Sequence, residues 1–185
     1  MTLDVSATEV AAPLVALAGI LLYLRLGRRR YGADADFWEV IRRTLLPQLN
    51  RLARRNGWGY AAYELSEAEF VGNVPASPEV FEKSIEGHGL LRMPLAAFKY
   101  APDGRPEVGS WAWRSSLLAR LQLHIIIFEA EDGTTDVYGH IEFNAYNPAT
   151  ALLHYTGAKY IPLGETGRSV NYILRHIREV TNEQR

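Results

Sequence analysis

The sequence predicts an α+β fold: a mostly antiparallel β-sheet covered by helices, preceded by an N-terminal transmembrane helix. Three observations carry this reading. An uncharged apolar run, Val10 to Leu24, is followed at once by arginines. Two segments of alternating apolar and polar residues, 119–129 and 136–145, flank Glu131-Asp132-Gly133, a turn sequence. The last element places Val170, Ile173, Leu174, Ile177 and Val180 on one stripe at helical spacing. The segments they imply are an anchor over 1–30, a juxtamembrane helix over 31–57 and an α+β domain over 58–185.

Counted from Ser6, the apolar run offers roughly 20 residues, the length a helix needs to cross about 30 Å of hydrocarbon. Pro13 falls in its first turns, where a missing N–H costs little. A cleaved signal peptide would carry its basic residues before the run, but here Asp4 and Glu9 precede it and the arginines follow. A buried core helix is the other alternative, because 15 strictly uncharged residues are few for a span. Arg25, Arg28, Arg29 and Arg30 form a membrane-proximal basic group on the C-terminal side. The positive-inside rule then places the N-terminus outside and the following domain in the cytoplasm, with a single pass.

Asp36, with Glu39 three residues on, opens a helix whose apolar positions are Phe37, Ile41, Leu45, Leu49 and Leu52. Pro47 kinks or splits it, and Asn56-Gly57 ends it. Its arginines suit either anionic lipid or a solvated face. Residues 25–55 hold nine Arg against three acidic residues, whereas the chain from 56 onward has 11 basic and 16 acidic residues.

Beyond residue 57, Gly59–Leu65 and Glu69–Val74 read as extended. Ser77-Pro78 starts a short helix running to about Ile85. Leu95–Tyr100 and Glu107–Arg114 flank Pro102-Asp103-Gly104 and are expected to form a hairpin. Ala119–Glu129 and Asp136–Ala145 form a longer one. Asn147-Pro148 begins a short helix that Gly157 ends, and a single amphipathic helix covers about 168–181.

The long hairpin can be registered from its own pattern. Burying Leu121, Leu123, Ile125 and Ile127 together with Val137, Ile141 and Phe143 requires odd positions opposite odd ones. A three-residue loop with glycine in the left-handed conformation preserves that match; a two-residue turn breaks it. His124, His140, Glu142 and Asn144 then share the other face with Gln122 and Tyr138, and His124 lies opposite either His140 or Glu142. This is the candidate ligand or partner face. Two imidazoles and a carboxylate can bind zinc or exchange protons, but alternate polar residues also describe a solvated sheet face, with Ile126 and Phe128 pointing to partial cover by a helix. No further ligand stands at motif spacing, so the sequence assigns no metal, no cofactor and no catalytic residue.

Other chemistry is narrowed by absence. Without cysteine there are no disulfides, thiolate metal sites or cysteine nucleophiles. No phosphate-cradling glycine loop, nucleophile elbow or His-Glu-x-x-His motif occurs. Trp111 and Trp113 near Lys99, Arg105 and Arg114 could stack single-stranded nucleic acid, but two core tryptophans with a charged rim are the plainer reading, and the acidic balance of the domain opposes phosphate binding. His88, His154 and His176 read as isolated.

MPLAAFKY, DGRPEVGSW, LQLHIIIFE and DVYGHIEFN together resemble an uncharacterised group of haloarchaeal proteins, cellular or virus-encoded, over roughly residues 58–160. The resemblance implies an archaeal cell or its virus as the source, and no known activity. The expected function is therefore a membrane-anchored, non-enzymatic interaction or structural domain on the cytoplasmic or virion-interior side. Its expected partners are the lipid bilayer and a protein at the membrane. The alternatives are a small membrane-tethered metal-dependent or acid–base enzyme using His124, His140 and Glu142, and a membrane-tethered nucleic-acid-binding protein.

Overall fold

The computed structural model describes residues 62–93, 96–155 and 160–182, together with Thr44, Leu45, Pro47 and Gln48, which are helical. The transmembrane run, the four membrane-proximal arginines and most of the 36–56 helix lie outside the described residues. Among the described residues, no helix is long and apolar enough to cross a membrane.

The fold is α+β, with a mostly antiparallel sheet and few helices. Among the described residues there are eight strands: β1 (Ala62–Glu64), β2 (Phe70–Val74), β3 (Leu91–Arg92), β4 (Phe98–Tyr100), β5 (Gly109–Trp113), β6 (Leu121–Glu129), β7 (Thr135–Phe143) and β8 (Tyr160–Pro162). Helices α1 (Pro78–Gly87), α2 (Ala151–Tyr155), α3 (Val170–Arg175) and α4 (Ile177–Asn182) lie between and after them. The main sheet runs β2-β7-β6-β5-β3, with β8 also on β7. The outer edge of β7 is thus shared: β2 pairs with residues 135–138 and β8 with 140–142.

The β6–β7 hairpin has one of the two registers that its alternation allows. Leu121 pairs with Phe143, Leu123 with Ile141, and His124 with His140. Ala130 N–H donates to Thr134 O at 2.9 Å and Gly133 N–H to Ala130 O at 3.0 Å, closing a three-residue loop with Gly133 at φ +77°. The odd-numbered face packs on Phe81 and Ile85 of α1 and on the stripe of α3 and α4 to make the main core.

Four expectations are corrected. The 168–181 segment is two helices broken at His176, whose Nδ1 and backbone N–H both compete for the Tyr172 carbonyl. The expected hairpin around Pro102-Asp103-Gly104 stops at one bridge, Tyr100 with Pro106. Pro106 has no N–H to extend the ladder, so β4 pairs in parallel with β1 and β5 pairs with β3 and β6. Glu69, read as the first residue of a strand, instead ends a 3₁₀ turn over Glu67–Glu69. Finally, the even-numbered face of the hairpin is buried, not solvated: Leu65 and Ala101 pack there on Ile126, Phe128 and Tyr138.

Candidate functional site

The polar residues on the even-numbered face of β5, β6 and β7 are enclosed. His140 is 0 % exposed, and His124 and Glu142 are each 4 % exposed. Donor atoms of these three lie within 4.8 Å of one another. Strand alternation brings them together, since His124 and His140 are cross-strand partners and Glu142 is the next residue on the same face of β7.

Each is held by a partner that sequence reasoning did not single out. Glu69, on the 3₁₀ turn, accepts from His140 Nδ1 at 2.9 Å, and the Tyr160 hydroxyl donates to the same carboxylate oxygen. The other Glu69 oxygen accepts from Ser66 N–H at 2.8 Å and from Ser66 Oγ at 3.0 Å. Ser110 Oγ lies 2.7 Å from His124 Nε2, whose Nδ1 faces Glu142 Oε1 at 3.1 Å. Gln122 Nε2 donates to that Glu142 oxygen at 2.7 Å, and His154 Nδ1 stands 3.2 Å from the other and 2.8 Å from Phe143 O. His154, read as isolated, therefore belongs to this network. The Ser66-x-x-Glu69 spacing of a capping box was the one signal that could have found Glu69. His88 is exposed and His176 bonds to its own helix, so neither joins the cluster.

Asn144 shares the face but not the chemistry. Its Nδ2 donates to Leu117 O at 2.9 Å and Ala119 O at 2.8 Å, fastening the β5–β6 loop. Trp111 lies in the core and donates to Glu82 Oε1 at 3.2 Å, while Arg105 is engaged by Asp103 and Asp136. Lys99 is buried and donates to Ala97 O at 2.9 Å. These residues do not form a basic stacking platform.

The electrostatics follow from burial set against pairing. Burial opposes a charge on His140, but Glu142 and Glu69 outweigh it and raise its pKa above the usual imidazole value. Burial would raise the Glu142 pKa, yet His140, His124 and His154 hold it well below the ordinary carboxylate range. Glu69 is lowered for the same reason: His140 and Tyr160 overcome its burial. His124 is driven well below the usual value by burial and by the positive charge of Lys99, so it stays neutral.

Two chemistries fit the connectivity. Ser110, His124 and Glu142 are linked in the order of a serine–histidine–acid triad, but Ser110 is 1 % exposed under a covered sheet face, so its hydroxyl has no approach for a substrate. A metal site fits better. His140 donates through Nδ1 to a carboxylate, leaving Nε2 buried and without a hydrogen bond among the described residues, 3.5 Å from Glu142 Oε2. A metal-binding imidazole ordinarily holds its second nitrogen on a carboxylate, carbonyl or hydroxyl in this way. His124 repeats the pattern, with Ser110 behind Nε2 and Nδ1 turned to the cluster. No protein-family model, curated protein or solved structure matches the chain.

Proposed function

We propose that this chain is a membrane-tethered, non-catalytic interaction domain stabilised by one divalent metal ion held by His124, His140 and Glu142. The observation that carries the metal is the buried His140 Nε2, turned to a carboxylate without a well-directed hydrogen bond while Nδ1 is fixed by Glu69. Two imidazoles and one carboxylate suit zinc or another borderline ion. Zinc about 2.0–2.1 Å from each donor sets tetrahedral donor separations near 3.3 Å, so the set draws inward when the ion enters. Three protein donors leave zinc's fourth tetrahedral position to water, the ligand count of catalytic sites and not of four-ligand structural ones, so the structural role rests on burial. The low exposure of all three residues supports the structural role.

Placement at a membrane rests on the run from Val10 to Leu24 and on Arg25, Arg28, Arg29 and Arg30, with the N-terminus outside and the domain on the cytoplasmic or virion-interior side. A protein held at that surface is the expected partner.

The test is elemental analysis of the full chain, purified from gently solubilised membranes. One equivalent of metal is expected, lost in the His124→Ala/His140→Ala double variant. Absence of metal after exposure to zinc, manganese and ferrous iron would overturn the metal and leave a protonated His140 clamped between Glu69 and Glu142. Recovery of the full chain in the supernatant after membranes are pelleted without detergent would overturn the tether.

A further inference from the structure

The end of the sheet remote from the Gly133 loop carries an apolar tip. Leu117 and Leu118 of the β5–β6 loop are 43 % and 71 % exposed, and Leu152 of α2 is 75 % exposed. The loop and the segment that follows β7 are fastened together. Asn144 Nδ2 binds Leu117 O and Ala119 O, Asn147 Nδ2 binds Leu118 O at 2.9 Å, and Asn144 N–H donates to Arg120 O at 3.0 Å. The charge within the two segments is of one sign. Residues 114–120 and 144–155 contain Arg114 and Arg120 and no Asp or Glu, although the chain from residue 56 onward is acidic overall. Arg120 is exposed and set 5.5 Å over the Phe143 ring, whereas Arg114, 4.0 Å over the Tyr146 ring, is half-buried and donates to Gln122 Oε1 and Met93 Sδ, so Arg120 is the cation that the β5–β6 loop presents.

Apolar side chains on a fixed tip, with an exposed arginine and no carboxylate in its two segments, are complementary to an anionic bilayer surface: the leucines enter the acyl boundary and Arg120 meets a lipid phosphate. We propose that Leu117, Leu118 and Leu152 dock the domain onto anionic lipid, giving it a second membrane contact beside the tether. The docking takes its proximity to lipid from the tether proposed above.

Because the chain has no cysteine, one introduced thiol gives one reporter. The full chain carrying Leu118→Cys or Leu152→Cys, labelled with an environment-sensitive dye, would be reconstituted into phosphatidylglycerol vesicles and into phosphatidylcholine vesicles. Glu131→Cys, across the nine residues of β6 and so about 30 Å away, is the aqueous control. Blue-shifted emission and quenching by a lipid-borne quencher are expected at 118 and 152 with phosphatidylglycerol only. Arg120→Glu should lower the inserted-to-uninserted ratio about tenfold. A chain that pellets with vesicles while both labels stay in water overturns the docking and leaves the tether standing. A shift that follows protein density instead of lipid charge overturns lipid in favour of a second copy of the chain. A chain left in the supernatant overturns both.

Discussion

At the scale of single residues, Glu69 separates a metal site from a simple ion-pair cluster. It touches His140 Nδ1, on the far side of the imidazole from the proposed ion. Glu69→Gln keeps the shape but gives up the charge that raises the basicity of that ring. Metal affinity should fall about 10–100-fold while stoichiometry at saturating metal stays at one, measured by competition with a chelator of known affinity. The metal-free chain should also show a pH signature. Glu142, Glu69 and His124 have folded-state pKa values below their ordinary ones, so their contribution is present at neutral pH and lost as pH falls. For His124 the loss begins near its ordinary value of 6.5; for the carboxylates it begins near 4.5. His140 has the opposite sign: its raised pKa adds stability below 6.5 that is lost as pH climbs past its folded value. Chemical denaturation of the chelated chain should give a stability maximum flanked by both losses; His140→Gln should remove the alkaline one and shrink the carboxylate part of the acid one, because His140 is what holds Glu142 and Glu69 low. An unchanged alkaline limb in that variant would show that His140 is not held as a cation.

At the scale of elements, what was legible in the sequence is what periodicity encodes. The odd-opposite-odd parity of β6–β7, the three-residue loop and the shared face of His124, His140 and Glu142 follow from alternating Leu, Ile and Val positions, because a one-residue slip would expose the whole apolar set; parity leaves His124 opposite either His140 or Glu142, and the structure pairs it with His140. The stripe of the last helical segment was legible for the same reason; its break at His176 was not, since both halves keep one apolar face. Strands β3 and β8, of two and three residues, are too short for a period. Glu69, Ser110 and Tyr160 reach the cluster from three separate segments, and no local pattern announces a contact that only the tertiary fold makes. One such contact yields a sharp prediction. A Cβ on Gly164 would lie 2.3 Å from Phe70 O and 2.7 Å from Ala68 O, backbone atoms on either side of Glu69 that cannot swing away. Gly164→Ala should cost about 1–3 kcal/mol in denaturant unfolding and, by displacing Glu69, weaken metal binding as well. Gly133→Ala, which strains the left-handed loop position at the other end of the hairpin, should cost about 1 kcal/mol and leave metal affinity unchanged.

At the scale of the whole molecule, the sheet is covered on both faces, and the two faces do different work. The odd-numbered face is an apolar core that needs no help. The even-numbered face encloses His124, His140, Glu142, Glu69, Gln122 and Ser110, groups whose desolvation burdens the fold unless each is matched. An ion that binds only the assembled cluster returns its binding free energy as folding free energy. At about 100 times its dissociation constant it stabilises by about 2.7 kcal/mol, and for a chain of this length each kcal/mol moves the unfolding midpoint by about 2–4 °C. Chelation should therefore lower the thermal midpoint of the full chain by about 5–11 °C, reversibly on returning metal. The His124→Ala/His140→Ala variant should start low and show no response to chelator. The comparison is informative because a cluster held only by His140 as a cation would predict a low midpoint in the variant but the same indifference to chelator in both proteins. A wild-type midpoint that ignores chelator would thus assign the stabilisation of this buried face to a proton rather than to a metal.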